Sequence, residues 1–265
     1  MKTFSIFIMH SIVTPISHLF EIENNATRIA RVSDSLECRD HSVAYDVSLQ
    51  TLFHCELQPC HKLGEASFTY LEKIRDTKPG LELISFHLAS CYHSPVIEKS
   101  VFVPGGYRYS KPELFENARI NFKKIKEIFG PDVVIAIENN NFYATPAYEY
   151  VTDPEFISQV VTENNVNFLY DIAHAKVSSY NLGLTYEAYK QALPLDKTVQ
   201  LHICKSGINN GAAYDAHFIP DEEEWKEITS LIDSYKSIRY FTIEYYREID
   251  GLLDSIHHLK KLFYR

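Results

Sequence analysis

The sequence predicts an α/β protein that folds as a (β/α)8 TIM barrel. Short apolar runs that end in a polar residue recur along the chain, and segments with helical periodicity separate most of them. Eight such runs in 265 residues match the usual size of this barrel. Since no low-complexity segment or close repeat divides the chain, we expect a single domain over residues 1–265.

Five runs are the clearest strand candidates. Each is too short and too rich in β-branched and aromatic residues for a helix. None alternates strictly between apolar and polar residues, which is typical of strands buried on both faces. They are LISFH (83–87), VVIAIE (133–138), VNFLYD (166–171), TVQLHI (198–203) and RYFTIE (239–244).

Three weaker runs complete the set of eight: FSIFIM (4–9), HLFEIE (18–23) and TLFHC (51–55). Too few residues separate the first two for a full crossover helix between parallel strands. We therefore expect an irregular or shortened first βα unit, where the barrel is incompletely closed.

The helices are predicted from their start and stop signals. Ser110 and Pro112 begin a helix with apolar residues at steps of three and four, and Gly130 ends it. Asp153 begins a second helix that stops near Asn164. Similar patterns predict helices over residues 185–193, 221–236 and 252–263.

Composition narrows the class of protein. With 45% hydrophobic and 23% charged residues the chain can bury a sizeable core, and its net charge of -9 argues against nucleic acid as a partner. Five cysteines without a CxxC pair indicate reduced thiols rather than disulfides. No apolar run is long enough to span a membrane, so we expect a cytoplasmic protein.

Polar residues end the predicted strands, and the carboxyl ends of barrel strands meet at one rim, where functional groups gather. DIAH (171–174) adds His174, in the loop after the strand that ends at Asp171, and DAH (215–217) adds Asp215 and His217, in the loop after the strand that carries His202. Together they give nine candidate metal ligands: His54, His87, Glu138, Asp171, His174, His202, Asp215, His217 and Glu244.

Each of these residues alone is most often a capping or hydrogen-bonding group. Together, five of the twelve histidines and four carboxylates at one rim are costly unless cations neutralise them. Nine ligands exceed the coordination number of one ion, so we expect two or three ions, with Glu138 as a bridge. Nitrogen and oxygen donors suit iron, zinc or manganese. Cys204 shares a strand face with His202, and we expect it to be a buried free thiol.

Several motifs resemble one enzyme family. The stretch 181–225, with ALPLD, LHI and YDAH in that order, resembles the multinuclear non-heme iron-dependent oxidative enzymes, the group that contains the methanobactin-biosynthesis oxidase. Residues 137–161 and 168–183 match as well, and FEIENN and FHCELQ match more loosely. The resemblance covers about residues 20–244. More distantly, the chain resembles xylose isomerase-like TIM barrels.

The family resemblance implies a TIM-like barrel with two or three irons that activate molecular oxygen and modify cysteine or other residues of a ribosomally made precursor peptide. A separately encoded partner often presents that peptide. No catalytic residue beyond the metal ligands is indicated. Carried over to this chain, the resemblance implies three sites: His54, His87 and Glu138; then Glu138, Asp171, His202 and Glu244; then His174, Asp215 and His217.

The chain departs from the family pattern in two places. Many members carry Asn where this chain has His174, so the third site depends on that histidine. Cys204 and Lys205 stand where the family has small residues. We regard Lys205, Asn140 and Tyr107 as candidate substrate-binding residues; Lys205 could pair with a peptide carboxylate, although a solvated loop lysine is the simpler interpretation.

Three other functions remain open from the sequence. The ligand order also resembles endonuclease IV, a trinuclear zinc phosphodiesterase that acts on abasic DNA, and the aromatic loop 104–110 could stack on nucleic acid. The four residues Glu138, Asp171, His202 and Glu244 alone resemble the single-metal centre of sugar isomerases and epimerases. A metal-storage or peptide-binding barrel without turnover is the non-enzymatic alternative.

Overall fold

A computed structural model describes residues 10–44 and 48–263 of the chain. Eight parallel strands close into a barrel in which each strand pairs with its neighbours along the chain and the last pairs with the first. They are β1 (Ser11–Pro15), β2 (Ser35–Arg39), β3 (Gln50–Cys55), β4 (Leu83–His87), β5 (Val134–Glu138), β6 (Asn167–Asp171), β7 (Thr198–Ile203) and β8 (Tyr240–Ile243). The prediction of a TIM barrel is confirmed.

Eight α-helices occur in the described residues: α1 (Glu23–Val32), α2 (Glu65–Thr77), α3 (Lys111–Phe129), α4 (Pro154–Glu163), α5 (Ile172–Leu182), α6 (Tyr186–Ala192), α7 (Glu222–Ser234) and α8 (Ile249–Phe263). The signals read from the sequence operate as expected in α3. Ser110 and Glu113 form a capping box at its start, and Gly130, with φ +73°, ends it.

Within residues 10–44 and 48–263, no helix is both long and apolar enough to cross a lipid bilayer.

Alternation along the strands separates a polar mouth from an apolar floor inside the barrel. Side chains at every second position of a strand share a face. The floor is one buried cluster, formed by Val13, Leu52, Leu83, Ala136, Leu169, Val199 and Tyr240. Two residues beyond Leu52, Ala136 and Leu169, the same faces carry His54, Glu138 and Asp171. The strand register therefore places these polar groups directly above the apolar floor.

The opposite faces of the strands pack against the surrounding helices. Phe53, Phe86 and Phe168 are fully buried in the main core, and Phe122 of α3 meets Phe86 edge to face with 6.5 Å between ring centroids. Aromatic and branched side chains fill this outer layer and hold the strands in place. The inward-facing side chains of the same strands are therefore held in position as well. A rigid scaffold thus holds the polar mouth.

Two expectations for the start of the barrel are wrong. Residues 18–23 do not form a strand: His18–Glu21 is a 3-10 turn in which the Ser17 side chain accepts a hydrogen bond from the backbone of Leu19, and α1 follows. The second strand is Ser35–Arg39, so α1 completes the first unit and the barrel is closed. The predicted strand at 4–9 lies outside the described residues.

The irregular unit is the next one. Between β2 and β3 the described residues contain only the 3-10 turn Asp40–Ser42. The two strands still pair in parallel, with a register shift between Leu36 and Glu37. This short connection replaces the crossover helix that the other units use.

Two hairpins extend from the mouth of the barrel. The first rim hairpin follows β4 and pairs Val96–Glu98 with Val101–Val103. The second rim hairpin follows β7 and pairs Lys205–Asn209 with Ala212–Phe218. Its return strand brings the acidic and histidine pair of residues 215–217 back to the barrel mouth.

Replacement of Phe122 by alanine should destabilise the protein by about 3–5 kcal/mol, because a buried aromatic ring is removed from the layer between α3 and the barrel. Ile120→Ala on the same helix is the matched control, since Ile120 is 51% exposed, and a change of at most about 0.5 kcal/mol is expected. Urea unfolding followed by circular dichroism measures both. Equal effects of the two substitutions would contradict the described packing of α3.

Candidate metal centre

All nine predicted ligands meet at the barrel mouth. Six lie at or directly after the carboxyl ends of β3 to β8, one follows in the first turn of α5, and two come from the second rim hairpin. Nitrogen-to-oxygen distances between 3.0 and 3.9 Å connect all of them into one network. The sequence therefore identified residues that the fold brings together.

Glu138 lies at the centre of this network. Its Oε2 is 3.4 Å from His54 Nε2 and 3.0 Å from His87 Nδ1. Its Oε1 is 3.0 Å from His202 Nδ1 and 3.8 Å from His174 Nδ1. Because its two oxygens face different histidines, this carboxylate has the geometry of a bridge between two ions.

The buried atoms without hydrogen-bond partners indicate where a cation fits. In the part of the chain that the structure describes, Glu138 Oε2, Asp171 Oδ2 and His202 Nδ1 are buried and form no hydrogen bond. His202 Nδ1 lies 3.4 Å from Glu244 Oε1 and 3.9 Å from Asp171 Oδ2. Buried polar atoms normally have partners, so converging donors that lack them fit an ion held between them.

Asp171 and His174 each use one polar atom in a structural contact and keep another atom available to a metal. Asp171 Oδ1 accepts a hydrogen bond of 2.7 Å from the backbone N–H of His174 and so caps α5. His174 lies in that helix and not in a loop, contrary to expectation. Its Nδ1 is 2.8 Å from the carbonyl oxygen of Asn139, which leaves Nε2 facing Asp215 Oδ2 at 3.4 Å.

The second rim hairpin supplies Asp215 and His217. His217 Nε2 lies 3.1 Å from Asp215 Oδ2 and 3.5 Å from Glu244 Oε2. The backbone of His217 has φ +44°, a left-handed conformation that costs free energy for a residue other than glycine. Its side chain is 32% exposed, so this part of the centre is open towards solvent.

Sequence reasoning missed Glu37, which lies in β2 beside the predicted ligands. Its Oε2 is 3.2 Å from His202 Nε2 and accepts a hydrogen bond of 2.6 Å from Gln200. A carboxylate on the far nitrogen of a histidine fixes the ring and its tautomer, which leaves the other nitrogen available for a metal. In SLECR (35–39), alternation places Glu37 and Arg39 on one face of a strand. The strand wrongly predicted at 18–23 took the second position in the barrel, so this signal was not used.

The pKa values follow from burial and charge. Burial would raise the pKa of Glu37, but the charge and hydrogen bond of His202 outweigh it and lower the pKa to about 2. Burial would also lower the pKa of His202, yet Glu244 and Glu37 raise it. Burial, reinforced by His87, lowers the pKa of His54 to about 4, so this imidazole is neutral near pH 7, the form that binds metals.

A cavity of about 500 Å³ opens over the centre. Besides seven of the nine predicted ligands, its lining includes Gln58, Asn140 and, from the first rim hairpin, Ile97 and Phe102. Of the three candidate substrate-binding residues, Asn140 is the one that lines this cavity.

The structure places the other two candidates elsewhere. Lys205 forms an ion pair with Asp221, and Tyr107 donates a hydrogen bond of 2.6 Å to Glu113 beside a different pocket. Both side chains are thus already paired outside the cavity that contains the centre.

The family described as RiPP precursor modification enzyme MbnB/TglH/ChrH matches residues 65–259 of this chain. RiPP denotes a ribosomally synthesised and post-translationally modified peptide. A UPF0276 protein of Paraburkholderia phytofirmans is 27% identical over 143 residues, which are 53% of this chain and 44% of that relative. The matched region is therefore less than half the length of that relative.

Solved structures support the fold. A 3-keto-D-glucoside 4-epimerase from E. coli has a TM-score of 0.60 at 14% identity, covering 97% of this chain and 100% of that one. A xylose isomerase-like TIM barrel protein from Mycobacterium smegmatis, in complex with magnesium, has a TM-score of 0.58 at 10% identity, with 96% of each chain covered. The predicted xylose isomerase-like barrel is confirmed.

Alanine at His87, Asp171 or His202 should lower the metal content of the protein, because each replacement removes a predicted donor that faces other predicted ligands. Elemental analysis of protein reconstituted without oxygen measures the ions per chain. His93→Ala is the control, since His93 bonds to Tyr109 at 3.0 Å and does not line the cavity. Unchanged metal content in His202→Ala would show that the ligand assignment is incorrect.

Glu37→Gln should weaken metal binding by about 10- to 100-fold, because the amide no longer holds His202 through a charged contact. Competition with a chelator measures the affinity, and circular dichroism checks the fold. Glu163→Gln, on the outer helix α4, should leave the affinity unchanged. An affinity equal to that of the unmodified protein in Glu37→Gln would rule out a positioning role for this carboxylate.

Proposed function

Because the chain belongs to the family of RiPP precursor modification enzymes MbnB/TglH/ChrH, we propose that it is a multinuclear iron enzyme that uses molecular oxygen to modify a residue of a precursor peptide, chiefly cysteine. The observation that carries the proposal is the convergence of the nine predicted histidine and carboxylate ligands at the barrel mouth, with Glu138 at their centre. Three of their buried atoms, on Glu138, Asp171 and His202, form no hydrogen bond.

Three ligand groups share the centre. The first group is His54, His87 and Glu138; the second group is Glu138, Asp171, His202 and Glu244; the third group is His174, Asp215 and His217. Glu138 belongs to both the first and the second group, because its Oε2 faces His87 and its Oε1 faces His202. We propose one ion for each of these two groups, and a third ion where His174 joins the hairpin residues.

Iron is the metal we propose. Histidine and carboxylate donors that leave positions open are the ligand type of oxygen-activating non-heme iron sites, although they also suit zinc and manganese. Iron held by these groups would supply the redox chemistry that oxidation of a peptide by oxygen requires. Glu37 and Arg39 act behind the ligands, because Glu37 orients His202 and Arg39 pairs with both Glu37 and Glu244.

The cavity determines how the peptide is held. Its volume of about 500 Å³ is that of a small-molecule pocket, so it takes a short part of a peptide while the remainder lies outside. Ile97 and Phe102 offer apolar surface to the side chain that enters, and Asn140, whose amide also bonds to Ala89 and Asn141, lies beside it. We propose that a separately encoded partner presents the rest of the precursor.

A single-metal sugar epimerase is the second candidate. The second group by itself has the composition of such a site, and one structural neighbour is a 3-keto-D-glucoside 4-epimerase. That function leaves His54, His87 and the third group without a role, and it leaves Glu138 Oε2 buried without a partner. The number of ions per chain distinguishes the two candidates.

Reconstitution with ferrous iron under anaerobic conditions, followed by Mössbauer spectroscopy, should give two or three irons per chain. Exposure to oxygen with cysteine-containing peptides encoded beside the gene should then consume oxygen and change the mass of one peptide. The Asp171→Ala variant should do neither, because it lacks a ligand of the second group. One ion per chain with epimerisation of a ketose, or zinc alone with cleavage of abasic DNA, would replace this proposal.

A further inference from the structure

Cys204 follows β7 directly and lies against the third group. Its Sγ is 3.7 Å from Asp215 Oδ1, and the thiol, Asp215 and His217 each offer a donor atom within 4.8 Å of the others. The side chain is 1% exposed. The sequence suggested a free buried thiol, but this position at a ligand cluster gives the sulfur a second interpretation.

The distances suit shared binding of one ion. Donors about 2.0 to 2.3 Å from an ion in tetrahedral geometry lie roughly 3.3 to 3.7 Å apart. Asp215 Oδ1 lies 3.7 Å from Cys204 Sγ, and Asp215 Oδ2 lies 3.4 Å from His174 Nε2 and 3.1 Å from His217 Nε2, the last slightly shorter than this spacing. Cys204, Asp215 and His217 are close to one another, and His174 approaches this cluster through Asp215.

The surroundings of the thiol are unusual for a cysteine that only fills the core. A buried free cysteine normally behaves as a small hydrophobic residue. Here burial raises the pKa of the Cys204 thiol well above its ordinary value, and the charges of Asp171, Asp215 and Glu244 raise it further. Asp171 Oδ2, buried and without a hydrogen bond, lies 3.7 Å from His174 Nε2 on the side of the second group. A cation in this corner offsets the repulsion between these carboxylates.

The second rim hairpin makes the arrangement possible. Cys204 is the last residue before the hairpin, and Lys205 pairs with Phe218. His217 is thereby returned to the point where β7 ends. The register shift between Lys205 and Gly207 adjusts the strand at the same point, as β-bulges next to functional sites often do.

We propose that Cys204 is a thiolate ligand of the third ion, which gives this ion two histidines, one carboxylate and one sulfur. The proposal rests on the multinuclear centre described above. Binding displaces the thiol proton to solvent, so no oxidant is needed. A sulfur donor makes this ion chemically different from the other two, which have nitrogen and oxygen donors, and it favours thiophilic metals at this position.

Anaerobic titration of the metal-depleted chain with cobalt(II) tests the assignment. Thiolate bound to cobalt gives a charge-transfer absorption in the near ultraviolet that histidine and carboxylate do not give. We expect this absorption in the unmodified protein, its loss in Cys204→Ala and Cys204→Ser, and its retention in Cys60→Ala. Cys60 is a matched control because it is buried in the apolar core.

The two variants at position 204 should also bind the last equivalent of cobalt at least about 10-fold more weakly, because one donor of four is lost. X-ray absorption of the unmodified cobalt protein needs no variant and should contain sulfur scattering at about 2.3 Å. Absence of sulfur scattering with the centre fully loaded would overturn the proposal, and so would an absorption that persists in Cys204→Ala.

These outcomes are separate from those of the proposed function. Cobalt–thiolate absorption together with iron-loaded protein that never consumes oxygen would keep the Cys204 assignment and remove the oxidase. Oxidation of a peptide by protein without metal–sulfur scattering would remove the Cys204 assignment alone.

Discussion

The barrel mouth depends on positive charge that compensates its buried carboxylates. Five carboxylates lie there, those of Glu37, Glu138, Asp171, Asp215 and Glu244, and all have at most 13% of the side chain exposed. Among the described residues, Arg39 is the arginine or lysine that pairs with members of this set. One guanidinium cannot balance five buried carboxylates. Burial raises the pKa of Asp171 to about 7, and protonated histidines or bound cations supply positive charge for the others.

The fold creates this concentration of charge and also limits its cost. Parallel strands deliver their last inward-facing residues to one rim, and the apolar floor of Leu52, Ala136 and Leu169 excludes water beneath them. The low dielectric strengthens every interaction between an ion and its ligands, and it penalises the same carboxylates when they are unpaired. The left-handed backbone of His217 is a further cost in folding free energy. Strain of this kind persists only where the surrounding structure imposes it.

The sequence predicted the barrel from β3 onwards because buried parallel strands have a strong local signal and each ends in a polar residue. It failed where local patterns are ambiguous. HLFEIE has strand-like composition, but Ser17 caps a 3-10 turn there, and Glu37 therefore remained hidden in a five-residue strand that alternates polar and apolar residues. His174 was assigned to a loop because nothing in the sequence marks where β6 ends and α5 begins. Asp171 is both the last residue of β6 and the residue that caps α5. Contacts such as that of Cys204 with Asp215 depend on hairpin register, which sequence spacing alone does not fix.

We propose that the barrel mouth binds more than one metal ion around Glu138. Anomalous X-ray diffraction at the iron absorption edge, on crystals of the anaerobically loaded protein, locates each ion independently of activity. Two or three separate peaks are expected, with one on each side of the Glu138 carboxylate. A single peak between Glu138, Asp171, His202 and Glu244, with His54 and His87 unbound, would contradict it.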